Sequence, residues 1–244
     1  MNKFIISFIL TSLAGLSTVI GYFVIFLKYD KEKIIAFSLS LSSAVMLTIS
    51  LFDLLPSSFD YLSKYNFLFK VLMIIFFFIL GVFISNIISH SIRDDVNNLK
   101  KVGIVSLIAI VLHNIPEGII TFMVSGINIH LGLELAIGIS MHNIPEGISI
   151  AIPLYYATNK KITTLLWVVI AGVSEIFGAM LCFIFLKDII NDIFIGVIFS
   201  FISGMMINIS LSELLPEALS YHYNKIFIIG FVLGSIIMIV SHIL

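Results

Sequence analysis

Charged residues are scarce in this sequence. Only 11% of its 244 residues are Asp, Glu, Lys or Arg, whereas about 25% is usual for a soluble domain. Hydrophobic residues make up 60% of the chain, and its mean hydropathy is +1.18. A soluble protein of this size needs a charged surface, which so few charged residues cannot supply. The composition therefore predicts that most of the outer surface faces lipid.

Cysteine and net charge are scarce as well. The one cysteine, Cys182, lies in an apolar stretch, so a disulfide framework and a thiolate metal cluster are both excluded. The net charge of -1 gives no basis for nucleic-acid binding. The sequence has no ATP-binding P-loop, which excludes an ATP-driven pump. No polar stretch is long enough for a soluble domain, so we expect residues 1–244 to form a single transmembrane domain.

Long apolar stretches are abundant. A spanning helix needs about 20 mostly apolar residues, and eight stretches meet that length. We interpret the first as a retained helix rather than a signal peptide, since no clear cleavage site ends it. The prediction is an all-α membrane protein with eight transmembrane helices. The predicted spans are residues 4–27, 34–55, 67–90, 102–125, 131–156, 162–186, 193–215 and 225–243.

Lysine and arginine are distributed unequally between the two sides of this arrangement. Nine of the thirteen lie at the odd-numbered connections, and cytoplasmic loops carry an excess of these residues. The odd-numbered connections are therefore predicted to be cytoplasmic, with both termini extracytoplasmic. The nine are Lys28, Lys31, Lys33, Arg93, Lys100, Lys101, Lys160, Lys161 and Lys225.

The second and seventh spans end in similar sequences, LFDLLP at 51–56 and LSELLPEAL at 211–219. Because these spans run in opposite directions, the two endings lie on opposite faces of the membrane. That relation predicts an inverted-topology repeat. Such repeats build alternating-access transporters around a site at the membrane midplane.

The motif HNIPEG occurs twice, in the fourth and fifth predicted spans. His113 and Glu117 are four residues apart and share a helix face, as do His142 and Glu146. Ionisable residues at the bilayer centre cost on the order of 3 kcal/mol each and are functional candidates by default. A short connection makes the two helices antiparallel neighbours, so both motifs reach a similar depth. Glu175, in the sixth span, is a third carboxylate near mid-membrane.

The chemistry of this set favours a divalent transition metal. Imidazole nitrogen and carboxylate oxygen suit zinc and its first-row neighbours. Pro116 and Pro145 also leave backbone carbonyls free, which is tolerated at membrane depth where the carbonyls line a cavity. The three glutamates supply a charge of -3, which one or two divalent ions nearly neutralise. Metal entry into an empty site is then expected to release a proton.

Other roles are conceivable for the paired His and Glu residues. A buried His–Glu pair that only joins helices explains one motif better than it explains two converging copies. HNIPE also differs from the HExxH of zinc proteases, because Asn replaces the general base. A membrane-embedded dinuclear metalloenzyme, and a structural or sensory metal protein, stay open as alternatives. The sequence offers no added nucleophile or acid, so we expect no enzymatic activity and no catalytic cofactor.

The double HNIPEG motif resembles that of ZIP-type metal transporters, in particular their bacterial ZupT-like branch. The similarity extends over all eight spans. The resemblance implies a bundle of three, two and three helices, a two-metal midplane centre, and transport into the cytoplasm across the cell membrane. The weaker matching segments are AGLSTVIG at 14–21, SSAVML at 42–47, AGVSEIFGA at 171–179 and GMMINISLSELLPEA at 204–218.

The resemblance also implies a role for each ligand. The first ion would be bound by His113, Glu117, His142, Glu146 and the thioether of Met46. The second ion's shell would be completed by Asn114, Asn143 and Glu175, with Glu117 and Glu146 bridging. Some ZIP branches have Gln and Asp where this chain has His142 and Asn143. The loop at 91–101 also lacks the histidines that many relatives carry there.

Other polar residues lie near the ends of the spans. Asp53 is a candidate for the entrance, and Glu213 and Glu217 are candidates for the exit, although each is also explained as a solvated interfacial carboxylate. His130, His222 and His242 are not expected to be ligands. The cargo favoured is zinc, with iron, manganese, cobalt and cadmium open. The bilayer and metal ions are the expected partners, and a homodimer is compatible with the sequence.

Overall fold

Helices account for all the regular secondary structure in the described part of the chain. The computed structural model describes residues 3–91, 98–186 and 191–243. Within these ranges, seven helical segments are long and apolar enough to cross a membrane, and an eighth apolar helix of 20 residues follows. The predicted all-α membrane fold is thereby confirmed. The segments are α1 Lys3–Phe26, α2 Lys31–Tyr61, α3 Phe67–Ser91, α4 Asn98–Ile127, α5 Ile129–Thr158, α6 Lys161–Ile184, α7 Asp192–Ser220 and α8 Asn224–Ile243.

Short polar connections fix where several helices begin. The Asp30 carboxylate accepts hydrogen bonds from the amides of Glu32 and Lys33, and so caps α2. Asn128 caps α5 in the same way, since its side chain accepts from the amide of His130 at 2.9 Å. Such caps satisfy amides that have no partner within the helix. The single residue between α4 and α5 makes these helices antiparallel neighbours, as the sequence predicts.

Helices α2 and α7 are longer than predicted because each continues through a proline. Pro56 has no N–H to donate, and its position suggests a helix end. Instead, the turn Ser50–Leu54 widens into a π-helix in which the amide of Leu55 bonds the carbonyl of Ser50. The turn Ser210–Leu214 ahead of Pro216 has the same form. The wider turn accommodates a proline that has no N–H to donate. Both helices therefore continue one to two turns beyond their predicted ends.

The two π-turns lie where α2 and α7 cross, and the crossing contacts are reciprocal. The Ser43 hydroxyl lies 3.5 Å from the carbonyl oxygen of Ser210, and the Ser203 hydroxyl lies 3.5 Å from that of Ser50. Each residue of α2 corresponds to the residue 160 positions later in α7. A contact that repeats with its partners exchanged is the signature of two-fold symmetry. The two halves of the chain are therefore related by a pseudo-two-fold axis.

The same axis relates α1 to α6 and α4 to α5. A Cβ on Gly15 would overlap the carbonyl oxygen of Gly172, and a Cβ on Gly172 would overlap that of Gly15. Small residues let membrane helices approach this closely. Since α4 and α5 are antiparallel, an axis that exchanges them must lie in the membrane plane. The repeat is thus inverted, as the similar endings of the second and seventh spans predict.

The helices pack as two groups of four. The first group consists of α1, α4, α5 and α6, in which α1 packs on α5 and α6, and α4 packs on α5 and α6. In the second group, α2 packs on α8 and α3 packs on α7. Contacts between the groups run mainly from α5 to α2 and α8, and from α4 to α7. Large apolar side chains on α1, α3, α6 and α8 face outward, as they do where lipid is the solvent. Both HNIPEG motifs belong to the first group.

Replacing Gly147 by Ala should destabilise the protein, because the added Cβ would overlap the backbone carbonyl oxygen of Thr18 on α1. Overpacking costs about 1–3 kcal/mol, and about 1 kcal/mol lowers the unfolding midpoint of a protein of this size by roughly 2–4 °C. The apparent midpoint of the purified protein in detergent should fall by several degrees. Gly126→Ala is the matched control, since its Cβ would lie 3.7 Å from the Ser7 hydroxyl. Equal losses in both variants would argue against the tight α1–α5 contact.

Candidate metal centre

The two HNIPEG motifs meet inside the bundle. Helices α4 and α5 continue without interruption through Pro116 and Pro145. His113 lies 15 residues before Asn128 and His142 lies 14 residues after it, so the motifs are level across the antiparallel pair. The His, Asn and Glu side chains of both motifs are buried. The convergence predicted from spacing is therefore present in the fold.

The histidines and one glutamate form a compact cluster. One carboxylate oxygen of Glu117, Oε1, lies 3.0 Å from His113 Nε2 and 3.1 Å from His142 Nε2. His113 Nε2 also lies 3.5 Å from Oε1 of Glu146. His113, Glu117 and His142 each have one potential ligand atom, and these three atoms lie within 4.8 Å of one another. Nitrogen and oxygen donors this close together can surround a single transition-metal ion.

Two asparagines beside the cluster are held in fixed orientation by backbone carbonyls. Asn114 donates from Nδ2 to the carbonyl of Ala171 at 2.9 Å, and Asn143 donates from Nδ2 to that of Ala14 at 3.0 Å. A carbonyl can only accept, so the NH₂ end of each amide must face it. Each Oδ1 is buried and accepts no hydrogen bond from the described residues. Asn143 also donates to Oε2 of Glu175 at 2.9 Å, which brings α6 into the site.

Several buried oxygens at this site accept no hydrogen bond from any residue in the described ranges. All of them are acceptors, and leaving acceptors unpaired in a low-dielectric interior costs free energy. A cation is a partner that can satisfy several such acceptors at once. The atoms are Asn114 Oδ1, Glu117 Oε2, Asn143 Oδ1, both carboxylate oxygens of Glu146, and Glu175 Oε1.

The pseudo-two-fold axis passes through this site, and one position breaks the symmetry. Asn114 and Asn143 exchange under the axis, as do their acceptors Ala171 and Ala14. Glu175 exchanges with Thr18: a Cβ on Gly118 would overlap the carbonyl oxygen of Glu175, as one on Gly147 would overlap that of Thr18. The third carboxylate thus has a buried hydroxyl as its counterpart. The donor set is richer on the α6 side than on the α1 side.

The remaining candidate residues lie on α2 and α7. Met46 is fully buried in the apolar core of α2. Asp53 lies in the first π-turn, where it accepts a hydrogen bond from the Ser57 hydroxyl at 3.3 Å. Glu213 occupies the equivalent place in the second π-turn and accepts from the Ser89 hydroxyl. Glu217 accepts from the Tyr221 hydroxyl at 3.2 Å.

Two histidines outside the motifs lie at connections between helices. His130 is exposed in the first turn of α5, and His222 is exposed between α7 and α8. The side chain of His242 lies outside the part of the chain that the structure describes, and so does Arg93. Lys187 lies outside it as well.

Two adjoining cavities lead from the metal-ligand cluster toward the end of the bundle where α4 joins α5. Their volumes are about 430 and 400 Å³, and Asp53, Glu134 and His142 line both. Glu117 lines the second. Sequence reasoning missed Glu134, which lies eight residues before His142. That spacing puts both on one face of α5 and was the available signal. A hydrated cation can thus pass two carboxylates before it meets the cluster.

A membrane protein of eight helices, with buried His and Glu ligands at the symmetry axis of an inverted repeat, belongs to the class of cation-binding membrane proteins. The sequence model of the ZIP zinc transporter family matches residues 89–242. The chain is a member of the ZIP zinc transporter family.

Three curated relatives are similar to this chain over most of their length. The zinc transporter ZupT of Clostridium perfringens is 33% identical over 274 aligned positions, covering 99% of this chain and 96% of that protein. The ZupT of Salmonella arizonae is 37% identical, covering 86% and 85%. That of Chlorobaculum parvum is 34% identical, covering 98% and 97%. The resemblance to the ZupT-like branch is confirmed.

Asn143→Asp tests whether the site is built for a cation. The change removes the donor to Ala14 and adds a negative charge beside Glu175, so the unfolding midpoint without metal should fall. A bound divalent ion offsets that charge, and a ligand that binds the folded state tenfold more tightly adds about 1.4 kcal/mol of stability. The rise in midpoint on adding zinc should therefore exceed that of the wild type.

Asn128→Asp is the control, because a carboxylate at that position can still accept from the amide of His130. The zinc-induced rise in this variant should match the wild type. The interpretation of the cluster as a cation site would be wrong if zinc stabilised Asn143→Asp no more than it stabilises the control.

Proposed function

We propose that this protein moves divalent transition metals, zinc foremost, across the cell membrane into the cytoplasm. The observation that carries the proposal is the group of unpaired, buried acceptor oxygens beside two histidines in the membrane interior. The names of the ZupT relatives, which are zinc transporters, support the same conclusion. Iron, manganese, cobalt and cadmium are further candidates, because two imidazoles and three carboxylates accept each of them.

The proposed ligands divide into two overlapping sets. His113, Glu117, His142 and Glu146 hold the first ion, which replaces the hydrogen bond between Glu117 and His142 and the 3.0 Å contact between Glu117 and His113. Imidazole must be unprotonated to bind metal, so ion entry releases any proton that the site holds. Met46 as a thioether ligand stays a prediction from the family resemblance, since the core burial of its side chain is equally explained by packing.

The second proposed ion lies on the α6 side. Its donors are Asn114 Oδ1, Asn143 Oδ1 and Glu175, with bridging oxygens from Glu117 and Glu146. The fixed orientation of both amides supports this proposal, because each Nδ2 is held by a backbone carbonyl and each Oδ1 is left without a hydrogen-bond donor among the described residues. Preorganised donors bind an ion without first being reoriented.

The proposed path begins at Asp53 and Glu134. Their carboxylates attract the hydrated cation, which then exchanges water for His142 and Glu117. By the pseudo-two-fold relation, Asp53 corresponds to Glu213, Ser57 to Glu217 and Tyr61 to Tyr221. An exit along the mirrored route passes these acidic residues on the opposite face, in agreement with the role expected for Glu213 and Glu217 in the sequence.

Alternating access follows if the two groups of four helices rock against each other. On the mirrored route, the symmetry counterparts of the cavity-lining residues Phe199, Glu134 and Ile139 are Leu39, Val105 and Ile110, which are almost completely buried. The route past Asp53 is open. Movement at the boundary between the groups opens one route as it closes the other.

The proposal also includes the domain organisation, the membrane topology and the oligomeric state of the protein. We regard the eight helices as one transport domain, with both termini extracytoplasmic. The relatives are transporters rather than enzymes, and no observation favours a dinuclear hydrolase or oxidase. Homodimer formation stays a prediction.

Glu117→Gln should abolish metal uptake, because it removes the charge shared by both histidines while keeping the side chain's size. Zinc uptake into proteoliposomes, followed with an internal zinc-sensitive dye, should fall at least tenfold, equivalent to about 1.4 kcal/mol or more. Glu32→Gln is the matched control, since Glu32 is exposed and contacts Tyr223 far from the site. Uptake by Glu117→Gln at the level of the control, with equal folded protein, would refute the assigned role.

The orientation can be measured with single cysteines in a Cys182→Ser background. Ser63→Cys lies between α2 and α3, and Lys160→Cys lies between α5 and α6. If both termini are extracytoplasmic, a membrane-impermeant maleimide should label position 63 but not position 160 in right-side-out vesicles. The reverse labelling pattern would invert the topology and the direction of the proposed path.

A further inference from the structure

A third cavity lies on the boundary between the two helix groups, at the end of the bundle predicted to be cytoplasmic. Its volume is about 450 Å³. It is lined from one group by the end of α1 and by α5, and from the other by α2 and α8. Its walls are almost wholly apolar, and its deep end reaches the helix turn that follows Gly147. The main lining residues are Leu27, Ile34, Phe37, Leu41, Ile148 and Ile229.

Two lysines stand at the mouth of this cavity. Lys28 is exposed and makes no ion pair with any residue in the described ranges. Lys33 lines the cavity, 3.6 Å from the Asp30 carboxylate and 5.6 Å from the centre of the Tyr223 ring. The combination is an apolar slot at membrane depth with cationic groups where the slot meets the headgroup layer.

We propose that this cavity binds an anionic phospholipid, with one acyl chain in the slot and the headgroup phosphate on Lys28 and Lys33. The apolar wall disfavours a hydrated or charged occupant, whereas lysines beside a membrane attract anionic lipid. The cavity is a slot rather than a flat face, so it fits a single flexible chain better than a helix of another protein. Electrostatic complementarity at the mouth selects among lipids, and the slot supplies the apolar contact.

The proposed lipid would contact α5, the helix that carries the second HNIPEG motif. Ser42, next to Leu41 in the cavity wall, donates its hydroxyl to the carbonyl of Pro145 at 2.7 Å. Glu146 is the next residue of α5. A chain inserted between α2 and α5 therefore fills space that must change when the two helix groups move. This consequence rests on the proposed transport function, whereas the lipid site itself does not.

The binding test uses the full chain, purified in detergent and examined by native mass spectrometry. Phosphatidylglycerol and phosphatidylcholine with identical acyl chains are added at equal concentration. The wild type should retain phosphatidylglycerol at least threefold more than phosphatidylcholine. Lys28→Gln/Lys33→Gln should remove that preference. Ser38→Phe, which places a large ring in the cavity wall, should reduce retention of both lipids.

Lys100→Gln/Lys160→Gln is the charge-matched control, since both lysines lie at the same end of the bundle and neither lines the cavity. Its lipid preference should equal that of the wild type. Equal retention of the two lipids by the wild type, or the same loss in both double variants, would overturn the proposal. Lys28 is exposed and Lys33 is partly exposed near the end of α2, so we expect their replacement to leave folding intact even if Ser38→Phe does not fold. Zinc uptake by Lys28→Gln/Lys33→Gln in liposomes of phosphatidylcholine alone separates failure of the lipid site from failure of the transport function.

Discussion

Two hydrogen bonds from asparagine amides to backbone carbonyls determine the geometry of the metal centre. Asn114 is bound to Ala171 and Asn143 to Ala14, so each HNIPEG helix is tied to a helix of the opposite repeat. These bonds join α4 to α6 and α5 to α1, and they fix which end of each amide faces the backbone carbonyl. Side-chain amides can do this only where backbones approach closely, which explains the glycines at the same level of the bundle. Close packing and ligand orientation are therefore one property of this fold.

The sequence predicted the chemistry of the site better than it predicted its surroundings. Spacing alone put His113 and Glu117 on one helix face, and a short connection put the two motifs at one depth. The π-turns were missed because Pro56 and Pro216 are typical of helix ends, while the compensating change in hydrogen bonding depends on the crossing of α2 with α7. Glu134 was missed because a carboxylate near a helix start usually faces solvent. Its place in the entrance depends on α2, which is distant in sequence.

The two HNIPEG motifs alone do not define the centre, because the repeat departs from exact two-fold symmetry. A perfect two-fold repeat would offer identical donors to both sides and would have no preferred direction. Glu175 opposite Thr18, and Glu217 opposite Ser57, depart from this symmetry in the same sense. Both departures place additional negative charge in the later repeat. The two repeats share the framework, and the unequal positions make the distribution of charge different in the two.

The reciprocal serine contacts at the crossing of α2 and α7 have a consequence for how this protein evolves. Because Ser43 and Ser203 reach the same backbone position on each other's helices, a substitution at one has a counterpart at the other. A mutational scan can therefore be compared with itself, position against position 160 residues later in these two helices. Pairs that tolerate the same changes maintain the shared framework. Pairs that differ identify the residues that make inward and outward movement unequal.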